Sequence, residues 1–185
     1  MGGLFLKISL GLNKNKILKY IRYFFLYAFI GWVLESLYCL YDLGYFTKRG
    51  FLLGPLCPIY GFGAIMLIAF FKNYKNHIIK LFIYASVIFS IFEYFVSFYL
   101  EAVFKIKCWD YSSEFFNLNG RISIFFSVVW GFAAILFVNK VHPFIESHLN
   151  KILSKLSTKM QNCATYFICF VFLLDNVLSC IKYLT

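Results

Sequence analysis

Residues 78–104 read IIKLFIYASVIFSIFEYFVSFYLEAVF. Lys80 stands near the start, Glu93 and Glu101 lie deeper, and almost everything else is apolar or aromatic. As a helix rising 1.5 Å per residue, this run is ~40 Å long, more than the ~30 Å of a bilayer's hydrocarbon core. It reads as a membrane span that tilts or projects into water. Four more apolar runs flank it: 20–41, 56–71, 122–139 and 163–181. The second is short, ~24 Å by the same rise, and reaches full depth only if the residues before it also enter the membrane.

Composition agrees. Of 185 residues, 62% are hydrophobic and 14% charged, whereas soluble domains are about half apolar. The expected fold is all-α: a polytopic transmembrane bundle of about five spans. Residues 1–141 form a membrane domain of four spans, 142–160 an amphipathic interfacial helix, and 161–185 an additional carboxy-terminal span. In the last region, Phe144, Ile145, Leu149, Ile152, Leu153 and Leu156 recur at helical spacing. Opposite them stand Lys151, Lys155 and Lys159 at i, i+4 and i+8, which suits a helix lying on a membrane surface or docking a partner.

The formal charge of +10 does not point to nucleic acid, because the lysines sit between apolar runs and fix topology there. Lys7, Lys14, Lys16, Lys19 and Arg22 precede or begin the first span. Lys72, Lys75 and Lys80, and later Lys140, Lys151, Lys155 and Lys159, occupy the connections expected on the same side. The positive-inside rule then puts the amino terminus in the cytoplasm and the carboxyl terminus outside a cell membrane. The first apolar stretch is too short for a signal peptide and carries Lys7. Leu6 stands where lipidation at Gly2 requires serine or threonine. Six cysteines and three histidines show no metal-ligand spacing, and no cofactor motif is present. Cys57 and Cys108 fall in loops on one side, the one cysteine pair worth watching.

Acids inside hydrocarbon cost ~2.5–3.5 kcal/mol each at a helix centre, so they face a partner or a cavity. Ser86, Ser90, Glu93, Ser97 and Glu101 form one polar stripe down the third span, and Glu35 lies at a similar depth in the first. The outer loops supply Lys48, Arg49, Lys105, Lys107 and Arg121, with Trp109, Asp110, Tyr111, Asn117 and Asn119 as hydrogen-bonding neighbours. Arginine forks match carboxylates, so Arg49 and Arg121 are the expected partners of the buried acids. Two readings stay open: ion pairs that staple helices together, or a water-accessible outer pocket floored by Glu93.

Between the first two spans lies RGFLLGPLCPIYGFG, 49–63. Irregular backbone at membrane depth is tolerated where protein or trapped water satisfies it. Gly54 and Pro55 can begin a half-buried helix, Pro58 fits in its first turn, and Gly61 and Gly63 allow close helix contact. Either a re-entrant segment aims its amino-terminal dipole at the acids, or a tight loop caps the bundle.

GWVLES at 31–36, RGFLLGPLCPIYGFG at 49–63, WDYS at 109–112 and FNLNGRI at 116–122, with WG at 130–131, closely resemble a bacterial membrane family. It is the family labelled ABC-transporter permease, type IV, or CmpB. The likeness covers about 20–140. The family's shared motif residues map to Glu35, Arg49, Gly50, Gly54, Pro55, Pro58, Tyr60, Gly61, Trp109, Asp110, Tyr111, Asn117, Asn119, Gly120 and Arg121, with Gly54, Pro55, Pro58 and Gly61 as the structural motif. With Glu93 and Glu101 from the stripe, the candidate substrate-binding set is Glu35, Arg49, Tyr60, Glu93, Glu101, Trp109, Asp110, Asn117, Asn119 and Arg121. Three functions are compatible: a permease subunit needing a separate ATPase or a second copy, a non-catalytic accessory or sensing protein, or a membrane-embedded enzyme on lipid-linked substrates. The last is weakest, since no nucleophile, metal set or other catalytic constellation is legible.

Overall fold

The computed structural model describes residues 13–185; the readings that rest on Gly2, Leu6 and Lys7 lie outside the described residues. The chain is an all-α bundle. Helix α1 is Lys14–Leu43, started by the Asn13 side chain accepting from Asn15 N–H and ended at Gly44 in left-handed conformation. Helix α2, Pro58–Met66, runs on through a π turn, Leu67–Phe71, and a 3₁₀ turn, Lys72–Tyr74. Helix α3, Ile78–Phe104, has the bounds of the long apolar run. A two-residue hairpin, β1 Asn117–Leu118 and β2 Ile122–Ser123, precedes α4, Ile124–Leu136. A π turn, Phe137–Val141, leads into α5, His142–Leu153, and α6 spans Thr158–Leu184.

Four helical stretches are long and apolar enough to cross a membrane: Lys14–Leu43, Ile78–Phe104, Ile124–Leu153 and Thr158–Leu184. The fifth, α2 with its turns, is shorter. Helix α3 shows why the arrangement is stable. Leu81, Ala85, Phe89, Glu93 and Ser97 repeat every four residues and are buried, while Ile83, Val87, Ile91 and Phe95 look outward. Phe95 is 64% exposed and Phe170 on α6 is 59% exposed, which water would not tolerate over so broad a surface but acyl chains do. Leu67, Phe71, Leu81, Ala85, Phe89, Ala134 and Val138 form one buried cluster between α2, α3 and α4; Tyr23, Tyr27, Ala64 and Ile68 form another between α1 and α2.

Three local features depart from expectation. Helix α2 begins at Pro58, not Pro55. The backbone of the preceding stretch is satisfied elsewhere: Leu53 and Gly54 N–H donate to the Asp175 carboxylate of α6 at 2.8 and 2.9 Å, and Cys57 N–H donates to Ala28 O of α1 at 3.0 Å. Second, α4 and α5 are one 30-residue stretch rather than a span followed by a separate surface helix. Pro143 lacks an N–H, and the π turn just before it takes up the misfit, so the helix bulges instead of ending. Third, helix stops at Leu153 and restarts after Ser157, whose hydroxyl accepts from Met160 N–H. The row Lys151, Lys155 and Lys159 is therefore split among α5, the connection and α6.

The bundle has two distinct ends. One carries 44–57, 105–123 and the end of α6, joined where Phe51 stacks on Tyr183 and packs on Phe104. This is the loop face. The other, the basic face, gathers the start of α1, the turn at 72–77, α5 and the start of α6. There Lys19 pairs with Glu146 at 2.7 Å, and Arg22 donates to Gln161 and Asn162.

Candidate functional site

The site is built where α1, α2, α3 and α4 meet the loop face. Close packing of α1 on α2 sets its first half. A Cβ on Gly31 would fall inside the Tyr60 ring, and one on Gly61 would strike Phe24, so both glycines let the helices touch at backbone distance. This contact places Tyr60 opposite Glu35, and its hydroxyl donates to Oε1 of that acid. The other carboxylate oxygen faces Arg49 Nε at 3.7 Å.

Helices α3 and α4 supply the second half. Ser90 and Ser127 hydroxyls meet at 2.6 Å, fixing their rotational register. Glu93, one turn nearer the loop face than Ser90 on α3, accepts through Oε2 from Nε1 of Trp130, one turn deeper than Ser127 on α4, at 2.9 Å. Tyr111, reaching down from the loop with its ring stacked on Phe126 at 4.3 Å, donates to Glu93 Oε1 at 2.9 Å. Burial, and then the charge of Glu93, push the Tyr111 phenol well above its usual range, which keeps it a donor. The Tyr60 and Trp130 rings, 6.4 Å apart, bridge the halves.

Arg49 and Arg121 take Glu35 and Glu101; the most deeply buried acid, Glu93, meets no arginine. Arg121 Nη2 donates to Glu101 Oε2 at 2.5 Å, with its guanidinium over the Tyr94 and Phe98 rings at 5.6 and 5.7 Å. That pair lies on α3 nearer the loop than the Glu93 centre, and forms a second polar cluster rather than part of the first. The remaining candidates shape the loop. Trp109 Nε1 donates to Arg121 O at 3.0 Å. Asp110 accepts from Lys107 at 2.6 Å and from Ser112 N–H at 2.9 Å; those bonds, the lysine's first, hold its carboxyl at about 2. Asn117 donates to Glu114 O and accepts from Gly120 N–H, while Asn119 donates to Tyr94. Gly120 has φ +67°, and a Cβ there would collide with Asp110 and Ser112, so glycine is required.

Among the described residues no group of three or more histidine, cysteine or acidic side chains could hold a metal ion. The six cysteines are free thiols, Cys57 and Cys108 included, and burial raises the Cys108 thiol. Trp130 and Asp175 are the participants that sequence reasoning did not place in the site. Trp130 was visible only as part of a closing motif, and Asp175 lies 121 residues along the chain from the glycine it caps.

Both oxygens of Glu93 are engaged by neutral donors, the Tyr111 phenol and the Trp130 indole. Glu35 is held between a phenol and a guanidinium.

A membrane-spanning helical bundle with paired polar centres under its loops defines a class of integral membrane protein. The chain belongs to the family described as "Putative ABC-transporter type IV", whose model matches residues 22–180. The match takes in α6, beyond the 20–140 region that carries the motifs. No curated protein and no solved structure matches the chain.

Proposed function

We propose that this protein is a permease subunit, multi-pass in the cell membrane with its amino-terminal side in the cytoplasm, that handles a small polar solute at the loop face. A separate ATPase subunit supplies energy. The observation carrying this reading is the connection Arg49–Glu35–Tyr60 and Trp130–Glu93–Tyr111, which ties four helices and two loops through two buried or half-buried carboxylates. Carboxylates at this depth are costly unless used, and intramembrane ionisable groups mark solute or ion paths. Family membership supports the ATPase partner. The orientation rests on charge: eleven lysines and arginines among the described residues stand at or near the basic face, against Lys48, Arg49, Lys105, Lys107, Arg121 and Lys182 at the loop face.

Candidate substrate contacts are Glu35, Arg49, Tyr60 and Glu93 at the centre, with Glu101, Trp109, Asp110, Asn117, Asn119 and Arg121 around its rim. The test is a mass-spectrometric inventory of proteins and small molecules copurifying with the native chain, set against an Arg49→Gln/Arg121→Gln variant. An ATPase retained by both proteins, with one solute lost from the variant, is expected. Identical inventories lacking any ATPase would remove the reading.

A further inference from the structure

A second site lies at the opposite end of the molecule. A cavity of about 260 Å³ opens between α1, α5 and the start of α6, lined by Lys19, Arg22, Asn150 and Gln161 among others. It is smaller than the ~300–1,000 Å³ that drug-sized ligands occupy. The charge around it is one-sided. Of the eight acids in the sequence, Glu146 alone belongs to the basic face, and it is taken by Lys19 at 2.7 Å and by the Tyr23 hydroxyl at 2.9 Å.

Arg22 is left with neutral company. Its Nε donates to Thr165 Oγ1 at 2.9 Å, Nη1 to Gln161 Oε1 at 3.0 Å, and Nη2 to Asn162 Oδ1 at 2.9 Å. A guanidinium has five N–H donors. Among the described residues, one donor on each terminal nitrogen therefore remains to be offered to a phosphate or carboxylate oxygen. The three occupied donors lock the fork in place, so little side-chain entropy remains to be lost on binding. No carboxylate neutralises this cation, and the sequence before Asn13 contains none.

The cavity lies at the starts of α1 and α6, two helices long and apolar enough to cross a membrane, so a bilayer around them puts headgroups at this level. Lys14, Lys16 and Lys151 stand nearby, and α6 leaves it with Phe167 and Phe170 exposed toward lipid. Basic pockets between membrane helices select phosphate headgroups through this combination of fixed donors and surrounding positive potential. We propose that the cavity binds a phosphate-bearing anion, the headgroup of an anionic phospholipid, between Arg22 and Lys19. The bound anion would join the start of α6 to α1 and α5. This inference is independent of the permease reading.

Delipidated full-length protein, titrated by native mass spectrometry with phosphatidylglycerol, phosphatidylcholine and inorganic phosphate, tests it. Phosphatidylglycerol should bind at least about tenfold more tightly than phosphatidylcholine, and Arg22→Gln should remove about that factor. Inorganic phosphate binding as tightly as phosphatidylglycerol, and through Arg22, would support the site and assign it to free phosphate. Because Arg22→Gln also loses its bonds to α6, Asn150→Trp provides a second variant whose ring obstructs the cavity, and the same loss is expected. Equal affinity for the two lipids, or phosphatidylglycerol binding unchanged in either folded variant, would overturn the proposal. So would an equal loss in Lys182→Gln on the loop face, which would reveal diffuse charge attraction.

Discussion

Trp130 Nε1 and Glu93 Oε2 are 2.9 Å apart, joining α4 to α3 at the deepest acid of the loop-face half. With Tyr111 on the other oxygen, this carboxylate is satisfied wholly by neutral donors, while Glu35 and Glu101 take arginines. A buried carboxylate bound in this way is poised between structure and exchange: removing a donor exposes a charge, and adding a cation displaces one.

Glu93→Gln should therefore destabilise the bundle although it is nearly isosteric. The amide presents two donors on one side, so either Trp130 or Tyr111 loses its acceptor, at a cost of ~1–3 kcal/mol. Trp130→Phe should cost a similar amount. The two changes share a partner, so the double variant should be less destabilised than their sum by ~0.5–3 kcal/mol. Thermal unfolding in detergent measures all three, and strict additivity would show that the bond carries no coupling.

Asp175→Ala should loosen the segment before α2 without disturbing its helices. Gly54 N–H would lose its acceptor, at ~1–3 kcal/mol, whereas Leu53 N–H keeps the Ser179 hydroxyl at 2.9 Å. Hydrogen exchange at the Gly54 amide should accelerate far more than exchange within α3, and more than at Leu53. Protection equal to that of the native protein would mean the cap is dispensable. Asp175→Asn, which keeps one carbonyl oxygen, should fall between.

Gly31→Ala adds a methyl group where the Tyr60 ring already lies. Overpacking of this kind costs ~1–3 kcal/mol. Because relief requires Tyr60 to move, its bond to Glu35 should weaken as well, and Tyr60→Phe in the Gly31→Ala background should cost less than it does alone. Unfolding midpoints for the four proteins of that cycle check this.

The Asp110 clasp should show an acid limit. Its folded value, about 2, lies below the ~3.9 of an unfolded aspartate. Its contribution is thus complete above the unfolded value and disappears as pH falls through about 2. The chain has three aspartates, Asp42, Asp110 and Asp175, so carboxyl-labelled NMR resolves them readily. One resonance should still be ionised at pH 3, and Lys107→Gln should move its midpoint upward. A midpoint near 4 for that resonance would contradict the clasp.

Much of this was legible in sequence because membranes impose simple rules. The uninterrupted run at 78–104 became α3 with the same bounds, since length and hydropathy alone define such a helix. The stripe of serines and acids marked its inward face, because charge cannot face acyl chains. What escaped reading depended on distant partners or local compensation. Nothing near Gly54 announces that Asp175 will accept its N–H. The fourth span reads as ending at 139 because the π turn that carries the helix on past it is invisible to periodicity. Apolar spacing carried across 154–157, where the chain in fact breaks. Arginine seemed the natural partner for every buried acid, yet Glu93 is satisfied by an indole and a phenol, which periodicity does not reveal.

The most direct test of the central claim is ATP turnover by the complex that copurifies with the full-length protein, compared with Tyr60→Phe and Glu93→Gln at equal protein. An ATPase should accompany all three, with turnover at least about tenfold lower in the variants, a loss of ~1.4 kcal/mol. Absence of nucleotide hydrolysis from every preparation, or folded variants turning over as fast as the native complex, would contradict the account.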